Sequence, residues 1–341
     1  MLKSILFTHT DLDGAGCAVL FDCILNHRGM QKGIDYLIFN VDASNMYETV
    51  TGTIASPDVD VNTEIVFADL CCGEHLMKNL STKFKSIKVF DHHQTNYWVN
   101  DFEGIDAHVY EHNSEGGLES GTSIMWTEYR NELNNPVIIK FVNAVRSYDT
   151  FEFKSVENPD AIKLNKLFSI LGMSAFCSTY EALLRIENPK GNTRFSSVID
   201  ASNDIGDEPI GIINPTLEFV VDNSLKLERE KIDRVIDGIE RRCMHFDATI
   251  DDKKCIIFNL IPDLNMSDLG AEYLTAHPEY DVFIWFDLNR KGYSIRSIRN
   301  DVDVSKIASR LGGGGHPRAS GAAMSQKVID DFKSKIIENL G

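Results

Sequence analysis

Histidine and aspartate fall together at four points of this 341-residue chain: His9-Thr10-Asp11-Leu12-Asp13-Gly14, Asp69, Asp91-His92-His93 and Asp149. Neutral imidazoles with several carboxylates form a donor set that suits a mid-series divalent ion such as Mn²⁺. Carboxylates gathered in one place repel one another strongly unless cations intervene. Two ions sharing a bridging carboxylate relieve that repulsion and build a site for two-metal phosphoryl transfer. A single strand-end Asp is more commonly a turn or helix cap, and Asp13-Gly14 alone reads as a turn. What singles these residues out is their common placement. His9–Asp13 follow the apolar run Ser4–Thr8, Asp69 follows Glu64–Ala68, and Asp91 follows Ile87–Phe90. In a parallel sheet such positions gather at the carboxyl edge, where α/β proteins bind ligands. Asp149 ends a helical pattern. An EF-hand loop starting at Asp11 is excluded: Ala15 stands at its fifth position, Asp22 at its twelfth, where Glu is wanted, and no helix precedes it.

A second cluster lies near the other end, in Leu311-Gly312-Gly313-Gly314-Gly315-His316-Pro317-Arg318-Ala319-Ser320-Gly321. Consecutive glycines let backbone N–H groups turn toward an anion. His316 and Arg318 add donors, and a guanidinium can meet a phosphate with two parallel bonds. The segment follows a helical pattern and lacks Gly-Lys-Ser/Thr, so it is neither a dinucleotide fingerprint nor a P-loop. The plainer alternative is a flexible linker. Arg296 and Arg299, on or just after a strand pattern, are candidate phosphate contacts, with solvated surface charge as the competing reading.

The elements that must position these residues are legible in outline. At roughly 150 residues per domain, the length suggests two domains. The first half alternates strand and helix patterns, which implies parallel βαβ units and a covered sheet. Strands are expected at Ser4–Thr8, Tyr36–Asn40, Glu64–Ala68 and Ile87–Phe90, and a helix at Gly14–Asn26. Helical patterns dominate from Gly121 to Arg185, in the segments Gly121–Glu132, Pro136–Ser147, Ala161–Leu171 and Ala175–Arg185. Asn188–Pro215 reads as a linker, and an amphipathic helix is expected from about Val221 to Cys243. The last hundred or so residues read as a smaller α/β unit, with strands at Phe246–Ile250, Cys255–Asn259, Val282–Phe286 and Tyr293–Ile298.

Composition narrows the function further. Lys and Arg total 34 against 51 Asp and Glu, a formal charge of −17. A chain this acidic is poorly suited to gripping long DNA or RNA, which needs a basic surface. Short anionic substrates stay open to it, because a metal or a local arginine can oppose the net field. No run of apolar residues approaches the roughly 18 or more of a membrane span, and the N-terminus reads as a first strand rather than a signal peptide. Seven cysteines form no CxxC pair, so reduced thiols in the cytoplasm are expected. Cys71 and Cys72 read as structural thiols. His108 and His112 read as strand residues rather than ligands on a helix face. Trp98, Trp126 and Trp285 read as core, and Tyr97-Trp98 is a candidate substrate contact.

The four-point pattern His9-x-Asp11-x-Asp13-Gly14, Asp69, Asp91-His92-His93 and Asp149 resembles the motif set of the DHH phosphoesterase superfamily. That superfamily includes RecJ exonucleases, nano-RNases, exopolyphosphatases and family II pyrophosphatases. The glycine segment resembles the GGGH loop of the DHHA1 domain, the usual C-terminal partner of the DHH domain. The resemblance implies a DHH catalytic domain over residues 1–187, with a parallel sheet flanked by helices. A linker and connecting helix over 188–243 would lead to a smaller α/β DHHA1 domain with a mixed sheet over 244–341. It implies two divalent ions, Mn²⁺ foremost, with His9 and Asp11 on the first, Asp13, His92 and Asp149 on the second, and Asp69 bridging. Asp91 would orient a histidine and His93 would face the substrate. Gly313, Gly314, Gly315, His316, Arg318, Arg296 and Arg299 would bind the substrate's far end. With one residue between His9 and Asp11, and with Ser120-Gly121-Thr122-Ser123 and Arg146-Ser147-Tyr148-Asp149-Thr150, the chain looks most like the nano-RNase B group. The implied activity is hydrolysis of short single-stranded RNA to 5′-mononucleotides. The alternative keeps the chemistry on pAp, cyclic dinucleotides or polyphosphate. No duplex or membrane partner is implied, and an oligomer is compatible with the reading.

Overall fold

The structure is a computed structural model that describes residues 1–42, 44–154, 158–185, 212–242, 245–258, 266–287 and 291–340. Most of the expected linker, residues 188–215, lies outside them, as does Cys243. The chain divides into two compact units, Met1–Asp222 and Asn223–Gly341.

The first unit is built on five strands, β1 Ser4–Thr8, β2 Tyr36–Asn40, β3 Glu64–Ala68, β4 Ile87–Asp91 and β5 Asp106–Val109. They pair in the order β2-β1-β3-β4-β5, all parallel. Every residue of β1 is buried, as expected of a strand covered on both faces. Ile5, Phe7, Ile65, Phe67, Ile87 and Val89 pack on one face, with Val50 of α2 (Met46–Ile54) and with Leu76, Met77 and Leu80 of α3 (Glu74–Lys83).

Helix α1 (Leu12–His27) is buried at every residue from Leu12 to Leu25. Its first turns are small, and a methyl at Gly16 would lie 2.3 Å from Thr122 Oγ1 on α4 (Gly121–Tyr129). Helix α5 (Pro136–Asp149) starts on a proline, as expected, but runs on through Asp149. The two helices expected at 161–171 and 175–185 are one element, α6 (Pro159–Leu184), kinked where Gly172 takes φ +71°. Among the described helices α6 alone is long and apolar enough to cross a membrane by length and composition, which the sequence reading missed. Its Phe176 and Tyr180 instead stack on Phe141 of α5, with ring centroids 6.4 and 5.0 Å away.

Far along α1 from its first turn, Tyr36 Oη donates to Oδ1 of fully buried Asp22 at 2.6 Å, and Arg185 Nε lies 3.5 Å from the other oxygen. Tyr36→Phe leaves that carboxylate short of a donor, which costs about 1–3 kcal/mol. We expect a lower urea midpoint with kcat unchanged; an unshifted midpoint would show that Tyr36 carries no such load.

The second unit holds a six-stranded mixed sheet of β6 His245–Ile250, β7 Lys253–Phe258, β8 Val282–Asp287, β9 Gly292–Arg296, β10 Gly314–Gly315 and β11 Ala319–Ala323. The order is β10-β11-β9-β8-β7-β6, with β7 and β8 parallel and the other pairs antiparallel. Ile232 and Ile239 of α7 (Pro215–Arg242) and Leu269 and Tyr273 of α8 (Met266–Ala276) pack against Ile256, Phe258 and Phe283. Val304, Ile307 and Ala308 of α9 (Val304–Arg310) pack with Cys255, Ile284 and Ile295. The chain ends in α10 (Gln326–Leu340). Helix α7 starts six residues before the expected Val221.

Candidate metal centre

The sheet of the first unit delivers three of the four motifs to one edge. β1 ends at Thr8, β3 at Ala68 and β4 at Asp91, and these strands are neighbours in parallel register. Asp11 caps α1, its Oδ1 accepting from Gly14 N at 3.0 Å, so the ordinary capping role and a ligand role coexist in one side chain. Asp69 takes φ +57°, a left-handed backbone uncommon for a residue with a side chain, and its N–H donates to Phe90 O at 2.8 Å.

Asp69 stands between two groups of side chains. Its Oδ2 is 3.7 Å from His9 Nδ1, and His9 Nδ1 is 2.7 Å from Asp11 Oδ2. Its Oδ1 is 3.4 Å from His92 Nε2, which is 3.3 Å from Asp149 Oδ2. His9, Asp11 and Asp69 form one set with donor atoms within 4.8 Å of one another, and Asp13, His92 and Asp149 form another. Asp69 Oδ2 and Asp149 Oδ2 are buried without a hydrogen bond among the described residues. Burial, and then the charges of Asp11, Asp13 and Asp149, push the Asp69 carboxyl well above its usual range. Burial, then Asp13 and Asp11, does the same to Asp149. Burial lowers His92 and keeps it in the neutral form that binds metals. Buried carboxylate oxygens without donors, beside the neutral imidazole of His92, are a donor set short of positive charge, and divalent cations fit it.

Asp91 is fully buried, and both its oxygens accept hydrogen bonds. Its Oδ1 accepts from His92 N, His93 N and His93 Nδ1 at 2.8, 3.2 and 2.7 Å, while Oδ2 accepts from Asn96 Nδ2 at 2.6 Å. Burial disfavours a charged His93, but the bond to Asp91 and the charges of Asp91, Asp13 and Asp11 together outweigh it and raise the His93 pKa. Asn96 was not singled out from the sequence. The N–H groups of Gly121 and Thr122 donate to the two oxygens of Asp13 at 2.6 and 3.0 Å. Gly121 itself leaves no room: a methyl there would lie 2.8 Å from Asp69 Cβ. Ser120-Gly121-Thr122-Ser123 had stood out as a motif only by resemblance; its work is to bind a carboxylate with backbone donors.

In the second unit the glycine segment is a hairpin, neither a linker nor an open nest. Gly314 and Gly315 pair with Gly321 and Ser320, and the N–H groups of Gly312, Gly313 and His316 donate to Ser309, Ala308 and Ala319. Close packing demands glycine at Gly313, where a methyl would lie 2.0 Å from Gly321 O. Gly315 has φ +130° and faces Ala319 O in the same way. Arg296 gives Nε to Ser267 and Nη1 to the carbonyls of Ile295 and Ser320, each at 3.0 Å. Arg299 pairs with Asp281 at 2.7 Å and Asp301 at 3.1 Å. Of these three arginines only Arg318 keeps a buried donor, Nη1, without a hydrogen bond among the described residues; its Nη2 reaches Asn300.

His108 lies on β5, stacked on Phe90 at 5.4 Å, and His112 bridges to Leu118, so the pair shares no helix face. Cys72 is buried and Cys71 half-buried. Trp98 packs against Phe102, whereas Tyr97 is exposed, its Oη accepting from Glu111 N at 3.0 Å.

Comparison with known proteins agrees with this architecture. Residues 254–341 match the DHHA1 domain family. Over 96% of its length the chain is 26% identical to the oligoribonuclease NrnB of Bacillus subtilis, of which it covers 74%. It superposes on the Mn²⁺ complex of RecJ from Thermus thermophilus with a TM-score of 0.56 at 13% identity, spanning 98% of this chain and about half (51%) of RecJ. It superposes on a pGpG-specific phosphodiesterase, PggH, of Vibrio cholerae with a TM-score of 0.50 at 15% identity, covering 99% and 98% of the two chains. With a DHHA1 domain following a five-stranded parallel sheet, and the histidine and aspartate motifs at that sheet's edge, the chain is similar to the DHH/DHHA1 superfamily of metal-dependent phosphoesterases.

Proposed function

We propose that this protein is a Mn²⁺-dependent exonuclease of the cytoplasm that hydrolyses short oligoribonucleotides to 5′-mononucleotides. The observation that carries the chemistry is Asp69, whose two oxygens face different donor sets. His9 and Asp11 would hold one ion with Asp69, and Asp13, His92 and Asp149 the other. When bound, such a pair supplies Lewis acidity to a phosphate and acidifies water to make a nucleophile. The chain's own residues do the rest. Asp91 and Asn96 fix the ring of His93, and with Nδ1 on Asp91 its Nε2 is placed to give a proton to the leaving ribose oxygen. We assign catalysis to residues 1–187, connection to 188–243 and recognition of the substrate's far end to 244–341, where Arg318 Nη1 offers a donor beside the hairpin at Gly313–His316. An acidic chain gains little from a long polyanion, which favours short substrates. The 26% identity to an oligoribonuclease over most of the chain supports the same class.

The test is product analysis with Mn²⁺ on end-labelled RNA from two to about twenty nucleotides, beside pAp, cyclic-di-AMP and polyphosphate. Rapid loss of the shortest oligomers with release of 5′-mononucleotides is expected. Turnover of one of the small phosphates alone would keep the site and replace the substrate. Arg318→Ala should raise KM on a dinucleotide about 10- to 100-fold, the worth of a hydrogen bond to a charged group, with kcat within about threefold. An unchanged KM would remove Arg318 from recognition.

A further inference from the structure

Two cationic residues lie within four positions of the histidine and aspartate motifs, Lys88 and Arg146. Lys88 is spent on Asp106. Arg146 is not spent in the same way. It lies on α5 three residues before Asp149, which puts the two on one helix face. Its Nη1 reaches Leu118 O only at 3.4 Å, its Nη2 is 3.8 Å from Glu152 Oε2, and its Nε is buried without a hydrogen bond among the described residues. Elsewhere in the same unit a structural arginine behaves differently: Arg28 meets Glu132 with two bonds of 2.9 and 2.7 Å. Leu118 stands two residues before Ser120-Gly121-Thr122, the segment whose backbone holds Asp13 and abuts Asp69. The Arg146 guanidinium therefore lies on the helix that carries Asp149 and beside the residues that lead into the segment holding Asp13. Its side chain is 29% exposed, so an anion can reach it. A buried guanidinium N–H without an acceptor is costly unless an acceptor arrives.

We propose that Arg146 is a substrate-binding residue that takes a non-bridging oxygen of the scissile phosphate. The assignment rests on the phosphodiesterase reading above and adds to it the cation that receives the phosphate within the first unit. The planar fork of an arginine suits this task, and a lysine replaces it poorly.

The experiment compares wild type, Arg146→Ala and Arg146→Lys, each loaded with Mn²⁺, on a dinucleotide and on bis(p-nitrophenyl) phosphate, which carries a single phosphate. We expect kcat/KM to fall about 10- to 100-fold in Arg146→Ala on both substrates, less in Arg146→Lys, with Mn²⁺ content unchanged. Millimolar guanidinium chloride should restore part of the loss in Arg146→Ala only, a response that a structural brace would not give. Calorimetric titration with inorganic phosphate should show weaker binding by a similar factor. Activity and phosphate affinity in Arg146→Ala equal to wild type would overturn the proposal. So would a loss that appears also as lost Mn²⁺ and a lowered Tm without guanidinium rescue. A wild type inactive on both substrates would count against the phosphodiesterase reading alone, and the phosphate titration would still decide Arg146.

Discussion

Asp69→Asn should abolish turnover and at the same time make the metal-free protein more stable. Both effects have one cause. Asp69 is 2% exposed, held close to His9 and His92, and pushed toward its protonated form by burial and by Asp11, Asp13 and Asp149. An amide of the same shape carries no charge into that cluster, and relief of buried repulsion of this kind is worth about 1–3 kcal/mol, several degrees in Tm. The same amide is a poor bridge. Losing one shared ligand forfeits several kcal/mol of transition-state stabilisation, a fall of about a thousandfold or more in kcat/KM. Thermal scans with and without Mn²⁺ separate the parts. The wild type should gain stability on metal addition, about 2.7 kcal/mol at a hundredfold excess over Kd, and the variant should gain much less. Parallel responses to Mn²⁺ would mean that Asp69 does not hold the metals.

Gly14→Ala should be nearly as damaging without touching a candidate ligand. Gly14 opens the first turn of α1, and an added methyl would lie 2.2 Å from His9 O, 2.5 Å from His9 C and 2.8 Å from its Cα. These are backbone atoms and cannot swing away. Either His9 moves off the end of β1, or α1 moves with Asp11 and Asp13. Overpacking of this sort costs about 1–3 kcal/mol. A misplacement of about 1 Å among reacting groups costs about a hundredfold in rate. We therefore expect kcat to fall about that far, with Tm lowered by several degrees. Gly52→Ala is the matched control, since it lies inside α2 with nothing within 4 Å, and it should leave kcat alone while slightly raising stability. Equal behaviour of the two variants would show that the end of β1 yields freely.

The sequence carried the first four strands and the gathering of carboxylates at their ends because both are local patterns. Each strand is a short apolar run, and each motif begins where the run stops. What it could not carry depends on residues far apart in the chain. The donors on Asp13 are backbone groups over a hundred positions away, and any residue type has an N–H to offer. The left-handed backbone of Asp69 leaves no mark in composition. Arg296 looked like a phosphate contact because arginine on a strand near a glycine loop is chemically apt. Only the folded chain reveals that its Nε and Nη1 already donate to Ser267, Ile295 and Ser320. The kink at Gly172 hid the continuity of α6, since a glycine between two amphipathic stretches reads as a stop.

The close approach of Gly121 to Asp69 also constrains how this gene can drift. A methyl at 121 would meet Cβ, Cα and N of Asp69 at 2.8, 2.9 and 2.9 Å, and two of these are backbone atoms that any residue at 69 keeps. Position 121 is therefore tied to the path of the chain and not only to the carboxylate. In a lineage that has lost catalysis Asp69 is free to change while Gly121 is not, so a retained glycine at 121 says nothing about activity and the residue at 69 is the one that reports it.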